Sequence, residues 1–312
     1  MKITIIYGGE SSERENSKNS AMFVGSALEK KGHKVNMLFY DANFVKKLLK
    51  LKQDLVFICV QGKGHGDGTL QAILDFLGIK YTGSHTMAAA IINDKIVCKE
   101  LFKNAGIRTP DWQTLNLEDY NAERFDFSRP GYPFVAKAPT QGASVGIELI
   151  NSAEDIKKIA GVFEYDDPIL IEKFTPGHFA SVGILRRNGK LITFPPMGIA
   201  ADRPEHKTEI MLTPAQGRSY PWTNFDFSTA LVDELNSLAL RSFAVTRAEG
   251  YARVDMMVSL DDGLPYVLEI NAVPGLRSDE SSLLPLGASL YGIKYDDLVE
   301  TIAMNALSCQ NV

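Results

Sequence analysis

Two segments near the end of the chain carry the side chains best suited to chemistry. Residues 266–271 read Tyr-Val-Leu-Glu-Ile-Asn, a strand pattern in which Glu269 and Asn271 share one face because side chains alternate. The same alternation places Arg253 and Asp255 on one face of an earlier strand. If the two strands pair as a hairpin, two carboxylates, an amide and an arginine converge.

Oxygen ligands without histidine or cysteine suit Mg²⁺, a cation that commonly also binds substrate phosphates. The spacing alone fits equally well with the solvated face of an ordinary hairpin. The sequence Asn271-Ala-Val-Pro-Gly275 favours the metal site, since a Pro-Gly turn exposes backbone N–H groups beside it.

Two Gly-rich segments could cradle phosphates. Residues 137–146 lie between two predicted strands, and Lys137 adds a point charge to small residues that allow close approach. The segment is neither a Walker A loop nor a dinucleotide fingerprint, so a plain hairpin turn explains it equally well. Residues 62–68 precede a predicted helix and offer an anion-binding N-terminus, or simply form a surface loop.

The strands and helices that must position these residues can be predicted from the sequence, and their order indicates an α/β protein of three lobes. Strands and helices alternate over residues 1–94, which indicates a Rossmann-like N-terminal lobe. A helix over 94–104 opens a second lobe, 95–182. The third lobe, 183–312, contains a long helix and the two polar strands.

The main strands and helices predicted are strands at 2–7, 35–40, 55–60, 134–137, 146–150, 169–174, 184–186, 191–194, 252–259 and 266–271, and helices at 13–31, 69–77, 153–161 and 228–249. The stretch 197–221 lacks periodicity and reads as a functional lid or a disordered loop.

Composition excludes several function classes. The chain has 312 residues and a net charge of -5, so nothing favours nucleic acid or an anionic membrane as a partner. The three cysteines lack metal spacing and predict reduced thiols in a cytoplasm. The N-terminal apolar run is too short for a signal peptide. We therefore expect a cytoplasmic protein with small-molecule partners.

Several motifs in order resemble the D-alanine–D-alanine ligases of the ATP-grasp superfamily over nearly the whole chain. The segments that carry the resemblance are 8–15, 64–69, 81–84, 94–95, Lys137 with 142–146, 170–174, 253–255 and 268–275. The set is highly specific for the fold and less specific for the substrate. It implies an ATP-dependent ligase that joins a carboxylate to an amine, and a homodimer formed through the first lobe.

The resemblance also implies roles for residues that bind nucleotide and metal. The residues implied to bind ATP are Lys95, Lys137, Gly142, Ser144, Glu172, Lys173, Phe174, Thr175, His178 and Lys207. Among them, the lysines at 95 and 137 hold phosphates and residues 172–175 line the adenine pocket. Two Mg²⁺ ions, for which Mn²⁺ could substitute, bind Asp255, Glu269 and Asn271.

Further roles concern the reacting substrates. By resemblance, Glu13 pairs with the ammonium of the first amino acid. Arg253 and the Gly275 N–H stabilise the oxyanion. Ser282 and the backbone N–H of Leu283 hold the carboxylate of the second substrate.

The sequence departs from the family pattern around the acceptor and the lid. Gln61 replaces a histidine, Ala143 a serine, Thr208 a tyrosine and Phe179 a ribose-binding glutamate, for which His178 is a possible substitute. The segment 275–285 is longer than usual, and it includes Arg277, Asp279 and Glu280. His65 and His206 could contribute to the site, although histidines in loops are more often surface residues.

Three hypotheses for function follow. The first is an amide ligase that activates a small amino acid, D-alanine above all, and uses an acceptor amine other than D-alanine. The second is a true D-alanine–D-alanine ligase of peptidoglycan precursor synthesis. The third is an inactive nucleotide-binding homologue, which the retained lysines, Arg253 and metal-ligand candidates disfavour.

Overall fold

The computed structural model describes residues 1–11, 13–62, 66–199, 222–224, 227–278 and 282–308. The first lobe is built on a parallel three-stranded sheet, ordered β2-β1-β3. Its elements are β1 (Lys2–Gly8), α1 (Arg14–Lys30), β2 (Lys34–Tyr40), α2 (Phe44–Leu51), β3 (Leu55–Ile58), α3 (Thr69–Phe76) and α4 (Thr86–Asn93). The predicted α/β lobe is therefore confirmed over the residues described.

Strands β1 and β3 are buried because helices cover both faces of the sheet. In β1, Ile3 and Ile5 pack in the cluster that includes α1, whereas Ile6 packs in the cluster that includes α2 and α3. Alternation along a strand produces this division, since successive side chains point to opposite faces. The carboxyl ends of β1 and β3 lead into the loops that reach the candidate site.

A four-stranded antiparallel sheet, ordered β4-β7-β5-β6, forms the second lobe. Its elements are α5 (Lys95–Asn104), β4 (Trp112–Leu115), α6 (Leu117–Asn121), β5 (Phe134–Lys137), β6 (Ile147–Ile150), a 3-10 helix (Ala153–Lys158), α7 (Ile159–Val162) and β7 (Ile169–Lys173). The predicted hairpin of β5 and β6 is confirmed, and residues 138–146 connect its strands.

The third lobe contains an antiparallel sheet in which the order β11-β10-β8-β12-β13 is joined by β9 beside β8. Its elements are β8 (Gly177–Arg187), β9 (Lys190–Thr193), β10 (Met197–Ile199), β11 (Trp222–Asn224), α8 (Thr229–Val245), β12 (Tyr251–Ser259), β13 (Pro265–Asn271), α9 (Leu283–Leu290) and α10 (Tyr295–Ser308). The predicted hairpin of the two polar strands is confirmed as β12 and β13.

Some predicted elements have different bounds in the structure. The helix predicted over 228–249 ends at Val245, because the Thr246 hydroxyl donates to the Ser242 carbonyl and Arg247 takes a positive φ of 57°. The strand predicted over 184–186 is much longer, since β8 pairs with β12 from Gly177 onward. The helix predicted over 153–161 begins as a 3-10 turn.

The predicted lobe boundary at 182–183 falls inside β8, and the division into three domains stays a prediction. The predicted loop 197–221 is a strand over Met197–Ile199, and its remainder lies outside the described residues. Within the described ranges, none of the helices has the length and apolar character that crossing a bilayer requires.

Candidate active site

Strand pairing brings together the four residues of the polar hairpin. Arg253 lies opposite Asn271, and Asp255 lies opposite Glu269, with a β-bulge directly after Asp255. Arg253 binds Asp255 through two hydrogen bonds, Nε to Oδ1 at 2.9 Å and Nη2 to Oδ2 at 2.7 Å. The Asn271 amide donates to Asp255 Oδ2 at 3.1 Å. Asp255 is therefore the centre of this cluster.

Buried polar and charged partners surround these carboxylates. Asp255 is 4% exposed and accepts a further hydrogen bond from the Ser181 hydroxyl of β8 at 2.6 Å. Burial raises the pKa of Glu269, but Lys95 and then Arg253 outweigh it and hold that pKa below its usual value. Glu269 is thus a carboxylate at neutral pH, which is the form that binds a cation.

The donor set fits Mg²⁺ better than a softer metal. Asp255, Glu269 and Asn271 offer only carboxylate and amide oxygens, the ligands that Mg²⁺ prefers. Among the described residues, no group of three or more His, Cys, Asp or Glu side chains could hold a metal by itself. An open set of this kind suits an ion whose remaining ligands are water and substrate phosphates.

Helix α5 places a lysine beside the hairpin. Asp94 caps the helix, and its carboxylate accepts from the backbone N–H groups of Ile96 at 2.9 Å and Val97 at 3.2 Å. This cap fixes Lys95 at the first turn. The Lys95 ammonium lies 3.2 Å from Glu269 Oε2 and donates to the Gln141 carbonyl at 2.7 Å. It therefore links the third-lobe sheet to the Gly-rich loop.

The loop between β5 and β6 has an unusual backbone conformation and lies close to a residue of the first lobe. Ala143 and Ser144 take positive φ angles of 51° and 62°, which side-chain-bearing residues rarely adopt. A Cβ atom on Gly142 would lie 2.7 Å from Glu13 Oε2, so a larger residue there would displace the Glu13 carboxylate. The loop thus meets the first lobe directly.

Glu13 lies close to two glycines of different lobes. Its Oε2 atom would be 3.2 Å from a Cβ on Gly62, as well as 2.7 Å from one on Gly142. Burial chiefly, and then the negative charge of Glu269, raise the pKa of Glu13, while Lys95 and Arg253 oppose that shift. The carboxylate therefore lies within reach of the charged groups of the second and third lobes.

Lys137 stands at the end of β5, where it meets Glu172 of β7. The Lys137 ammonium binds Glu172 Oε1, and a second lysine, Lys99, lies 2.5 Å from Oε2. Both oxygens of Glu172 therefore contact lysines. Lys99 is not among the site residues predicted from the sequence, although its position four residues after Lys95 places both lysines on one face of α5.

The segment after β7 joins the second-lobe sheet to the third. Lys173 is exposed, and its N–H donates to the Asp111 carbonyl at 2.8 Å. The Phe174 N–H donates to the Pro133 carbonyl at 3.3 Å, and Thr175 follows it. His178 pairs with Val258 across β8 and β12. These residues lie where the last strand of the second-lobe sheet leads into β8 of the third lobe.

The loop that follows β13 is tied to the first lobe. The Gln61 side-chain amide donates to the Val273 carbonyl at 2.7 Å, and the Gln61 backbone carbonyl accepts from the Ser11 hydroxyl at 2.8 Å. Gln61 is only 7% exposed. Its side chain is thus engaged with the loop that leads to Gly275, where the family pattern has a histidine.

Gly275 and Ser282 lie side by side. A Cβ on Gly275 would be 3.0 Å from Ser282 Oγ, and that hydroxyl accepts from the Arg277 N–H at 3.1 Å. Ser282 is 7% exposed. The candidate oxyanion N–H and the candidate acceptor hydroxyl are therefore close neighbours.

Six residues named from the sequence lie outside the described ranges. They are His65, His206, Lys207, Thr208, Asp279 and Glu280. The other sequence-predicted site residues are described, and the contacts given above place Glu13, Lys95, Arg253, Asp255, Glu269 and Asn271 in one charged cluster.

Comparison with known proteins shows which family has this sequence and site. A family model described as "D-ala D-ala ligase C-terminus" matches residues 101–304. The D-alanine–D-alanine ligase of Halalkalibacterium halodurans is 32% identical over 303 residues, covering 96% of this chain and 97% of that protein. That of Carboxydothermus hydrogenoformans is 33% identical over 314 residues and covers 98% of each.

Solved structures share the whole fold. The D-alanine–D-alanine ligase from Bacillus anthracis complexed with ATP superimposes with a TM-score of 0.83 at 29% identity, covering 99% of this chain and 98% of that one. The VanG D-Ala:D-Ser ligase from Enterococcus faecalis gives a TM-score of 0.82 at 21% identity, covering 98% and 99%, and shows the fold alone.

Fold and relatives together define an ATP-grasp carboxylate–amine ligase, an enzyme that forms carbon–nitrogen bonds. The predicted fold class and the predicted enzyme class are therefore confirmed. The chain belongs to the D-alanine–D-alanine ligase family.

Proposed function

We propose that this enzyme uses Mg²⁺ and ATP to activate the carboxylate of D-alanine and joins it to an amine. The observation that carries the proposal is the meeting of three lobes at one charged cluster. Glu13 comes from the first lobe, Lys95 from the second, and Arg253 and Glu269 from the third, and charge interactions connect all four. A substrate bound there is held at several points, which lowers the entropic cost of reaction.

The reaction has two steps. A carboxylate oxygen of D-alanine attacks the γ-phosphorus of ATP, the bond from that phosphorus to the bridging oxygen breaks, and ADP leaves. The acceptor nitrogen then attacks the carbonyl carbon of the acyl phosphate. Phosphate departs, the nitrogen loses a proton, and an amide remains. Positioning and charge neutralisation dominate catalysis of this kind.

The nucleotide lies between the second and third lobes in this proposal. Lys95 and Lys137 bind phosphates, and Gly142 and Ser144 offer the loop that covers them. Glu172, Lys173, Phe174, Thr175 and His178 surround the adenosine, and Lys207 of the lid reaches the γ-phosphate. Support comes from the Lys95 contacts to Glu269 and the Gln141 carbonyl, which place its ammonium where loop and hairpin meet.

Asp255, Glu269 and Asn271 hold Mg²⁺ in this proposal, and the bound ion supplies positive charge that neutralises the triphosphate. Arg253 faces the same cluster, and with the Gly275 N–H it stabilises the oxygen on which negative charge develops. Glu13 binds the ammonium of the donor amino acid. Ser282 and the Leu283 N–H bind an acceptor carboxylate.

The acceptor amine is the point on which two candidates differ. An acceptor other than D-alanine is favoured by Gln61, whose amide is committed to the Val273 carbonyl, and by Ala143, which has no hydroxyl to offer Glu13. D-alanine is favoured by full-length relatives of that name and by the buried Ser282 hydroxyl beside Gly275.

Product mass spectrometry with phosphate release tests both candidates. Purified enzyme is incubated with ATP, Mg²⁺ and D-alanine, alone and with a panel of amino acids, amino sugars and other amines. A new amide that requires an added amine supports the first candidate. Strong turnover with D-alanine alone, and none with other amines, establishes the second. ATP binding without any ADP formation would contradict the ligase proposal.

Three further properties are proposed on the family resemblance. The enzyme acts in the cytoplasm, works on small molecules, and forms a homodimer through the first lobe. Light scattering of the purified protein tests the last of these, because a monomer at the working concentration would contradict it.

A further inference from the structure

Lys99 is a buried cation that no step of the reaction uses. Its side chain is 1% exposed, and its ammonium contacts Glu172 Oε2 and the Thr109 hydroxyl at 2.5 Å each. A lysine is rarely buried to this extent unless it is paired, because removing an ammonium from water is costly. A methionine of similar length could fill the same space, so packing alone does not require the charge.

The geometry of α5 connects Lys99 to the candidate phosphate site. Lys95 and Lys99 are four residues apart, and they share one face of the helix. Lys95 contacts Glu269 of the third-lobe sheet, whereas Lys99 contacts Glu172 of the second-lobe sheet. One helix face thus supplies a cation to each sheet.

Glu172 connects Lys99 to Lys137. Its Oε1 binds Lys137 and its Oε2 contacts Lys99, so one carboxylate is shared by two ammonium groups. Burial raises the pKa of Glu172, but the two lysines outweigh burial and hold that pKa below its usual value. Burial lowers the pKa of Lys99, and the charge of Glu172 opposes that shift. With both lysines protonated, the three side chains carry one net positive charge. Without Lys99 the charge of Lys137 would be cancelled by Glu172.

We propose that Lys99 is a positioning residue for the nucleotide: by occupying the second oxygen of Glu172, it keeps Lys137 in place and leaves the cluster a positive charge for phosphate. The inference rests on the proposed nucleotide site. It assigns Lys99 no contact with the substrate. Its effect passes through Glu172 and Lys137.

The test compares nucleotides that differ only in phosphate number. Lys99→Met is measured against wild type by calorimetric titration with ATP, ADP and AMP. The affinity for ATP is expected to fall about tenfold, equivalent to about 1.4 kcal/mol. The affinity for AMP is expected to change much less, because AMP carries less charge. An equal loss for all three nucleotides indicates a merely structural role and overturns the proposal.

A double variant separates charge from packing. Lys99→Met with Glu172→Gln restores the one positive charge and leaves no unpaired buried carboxylate, so it also serves if the single variant fails to fold. The ratio of ATP to AMP affinity is expected to return towards the wild-type ratio, since adenine contacts cancel in it. A ratio that stays low overturns the proposal.

Lys103→Met is the matched control, because Lys103 is exposed on the same helix. It is expected to bind all three nucleotides as wild type does. Unchanged ATP binding in Lys99→Met also contradicts the inference while leaving the ligase proposal intact. Failure of the wild-type protein to bind ATP contradicts the proposed function itself.

Discussion

Glu13 carries a charge that the folded protein alone disfavours. Its carboxylate lies close to Gly62 and Gly142, and burial together with the charge of Glu269 raises its pKa. A substrate ammonium would reverse that balance, because an opposite charge in a buried site favours the ionised carboxylate. Burial of this carboxylate therefore lowers the stability of the ligand-free enzyme, and binding of a substrate ammonium removes that free-energy cost.

Replacing Glu13 by Gln is expected to raise the melting temperature of the ligand-free enzyme at pH 7. The raised pKa costs stability above the ordinary value of 4.5, where the unfolded chain ionises, whereas below 4.5 the carboxyl group is protonated in both folded and unfolded states. The gain should therefore shrink as pH falls and vanish below 4.5. Calorimetry across pH measures it, and the same variant should lose amino-acid-dependent ADP formation.

Glu29→Gln is the matched control, because Glu29 is exposed near the end of α1. It should leave the melting temperature unchanged at every pH. A Glu13→Gln variant no more stable than wild type at pH 7 would show that burial does not dominate at this carboxylate.

Asp255 is the second residue with a specific expectation. Asp255→Asn removes the charge that binds Arg253 and that we assign to Mg²⁺, so kcat should fall by at least about 100-fold. The Mg²⁺ concentration needed for half-maximal activity should rise as well. Steady-state kinetics over a magnesium titration measure both values. Asp261→Asn, in the exposed turn of the same hairpin, should behave as wild type.

At the scale of elements, the loop after β13 depends on a distant side chain. Residues 272–275 carry the candidate oxyanion N–H, and the Gln61 amide binds the Val273 carbonyl. Gln61 is itself anchored by the Ser11 hydroxyl, which also accepts from the Glu13 N–H at 3.3 Å. One chain of hydrogen bonds thus joins the first-substrate residue to the oxyanion loop.

Gln61→Leu keeps the volume of the side chain but removes the donor to Val273. We expect kcat to fall by about tenfold with little change in the KM for ATP, because the loop is loosened while the phosphate site is untouched. Stability should fall by about 1–3 kcal/mol, the cost of a buried carbonyl left without a partner. Kinetics and urea unfolding provide the measurements. A change confined to the KM for ATP would contradict this account.

For the whole molecule, the first-lobe core is completed by the other end of the chain. The cluster that contains Ile3, Ile5 and Phe57 also contains Leu298 and Ile302 of α10, as well as residues of α9 and of the loop after β13. The first sheet therefore cannot bury this face with residues 1–94 alone. Folding of the first lobe and folding of the third are coupled through this shared core.

Ile302→Ala tests the coupling, because Ile302 is 1% exposed in that cluster. It is expected to cost about 2–5 kcal/mol of unfolding free energy. Unfolding should remain a single transition when it is followed by both circular dichroism and fluorescence. Leu290→Ala, at a side chain that is 53% exposed, should change stability little. Separate transitions for the two lobes would contradict a shared core.

Much of the candidate site follows from local sequence rules. Alternation within a strand is enough to place Arg253 with Asp255 and Glu269 with Asn271, because the side-chain period of a strand is two residues. The cap of Asp94 on α5 is equally local, since it involves only the next three residues. These rules act over a few residues, and the chain's own order of elements supplies the hairpin.

Only the tertiary structure decided which distant segments form ion pairs, hydrogen bonds and packing contacts with one another. The pairing of Lys99 and Lys137 on Glu172, the bond from Gln61 to Val273, and the packing of α10 against the first sheet join residues far apart in sequence. The length of β8 likewise depends on its pairing with β12. Such contacts depend on which faces pack together, and no spacing within one segment encodes that choice.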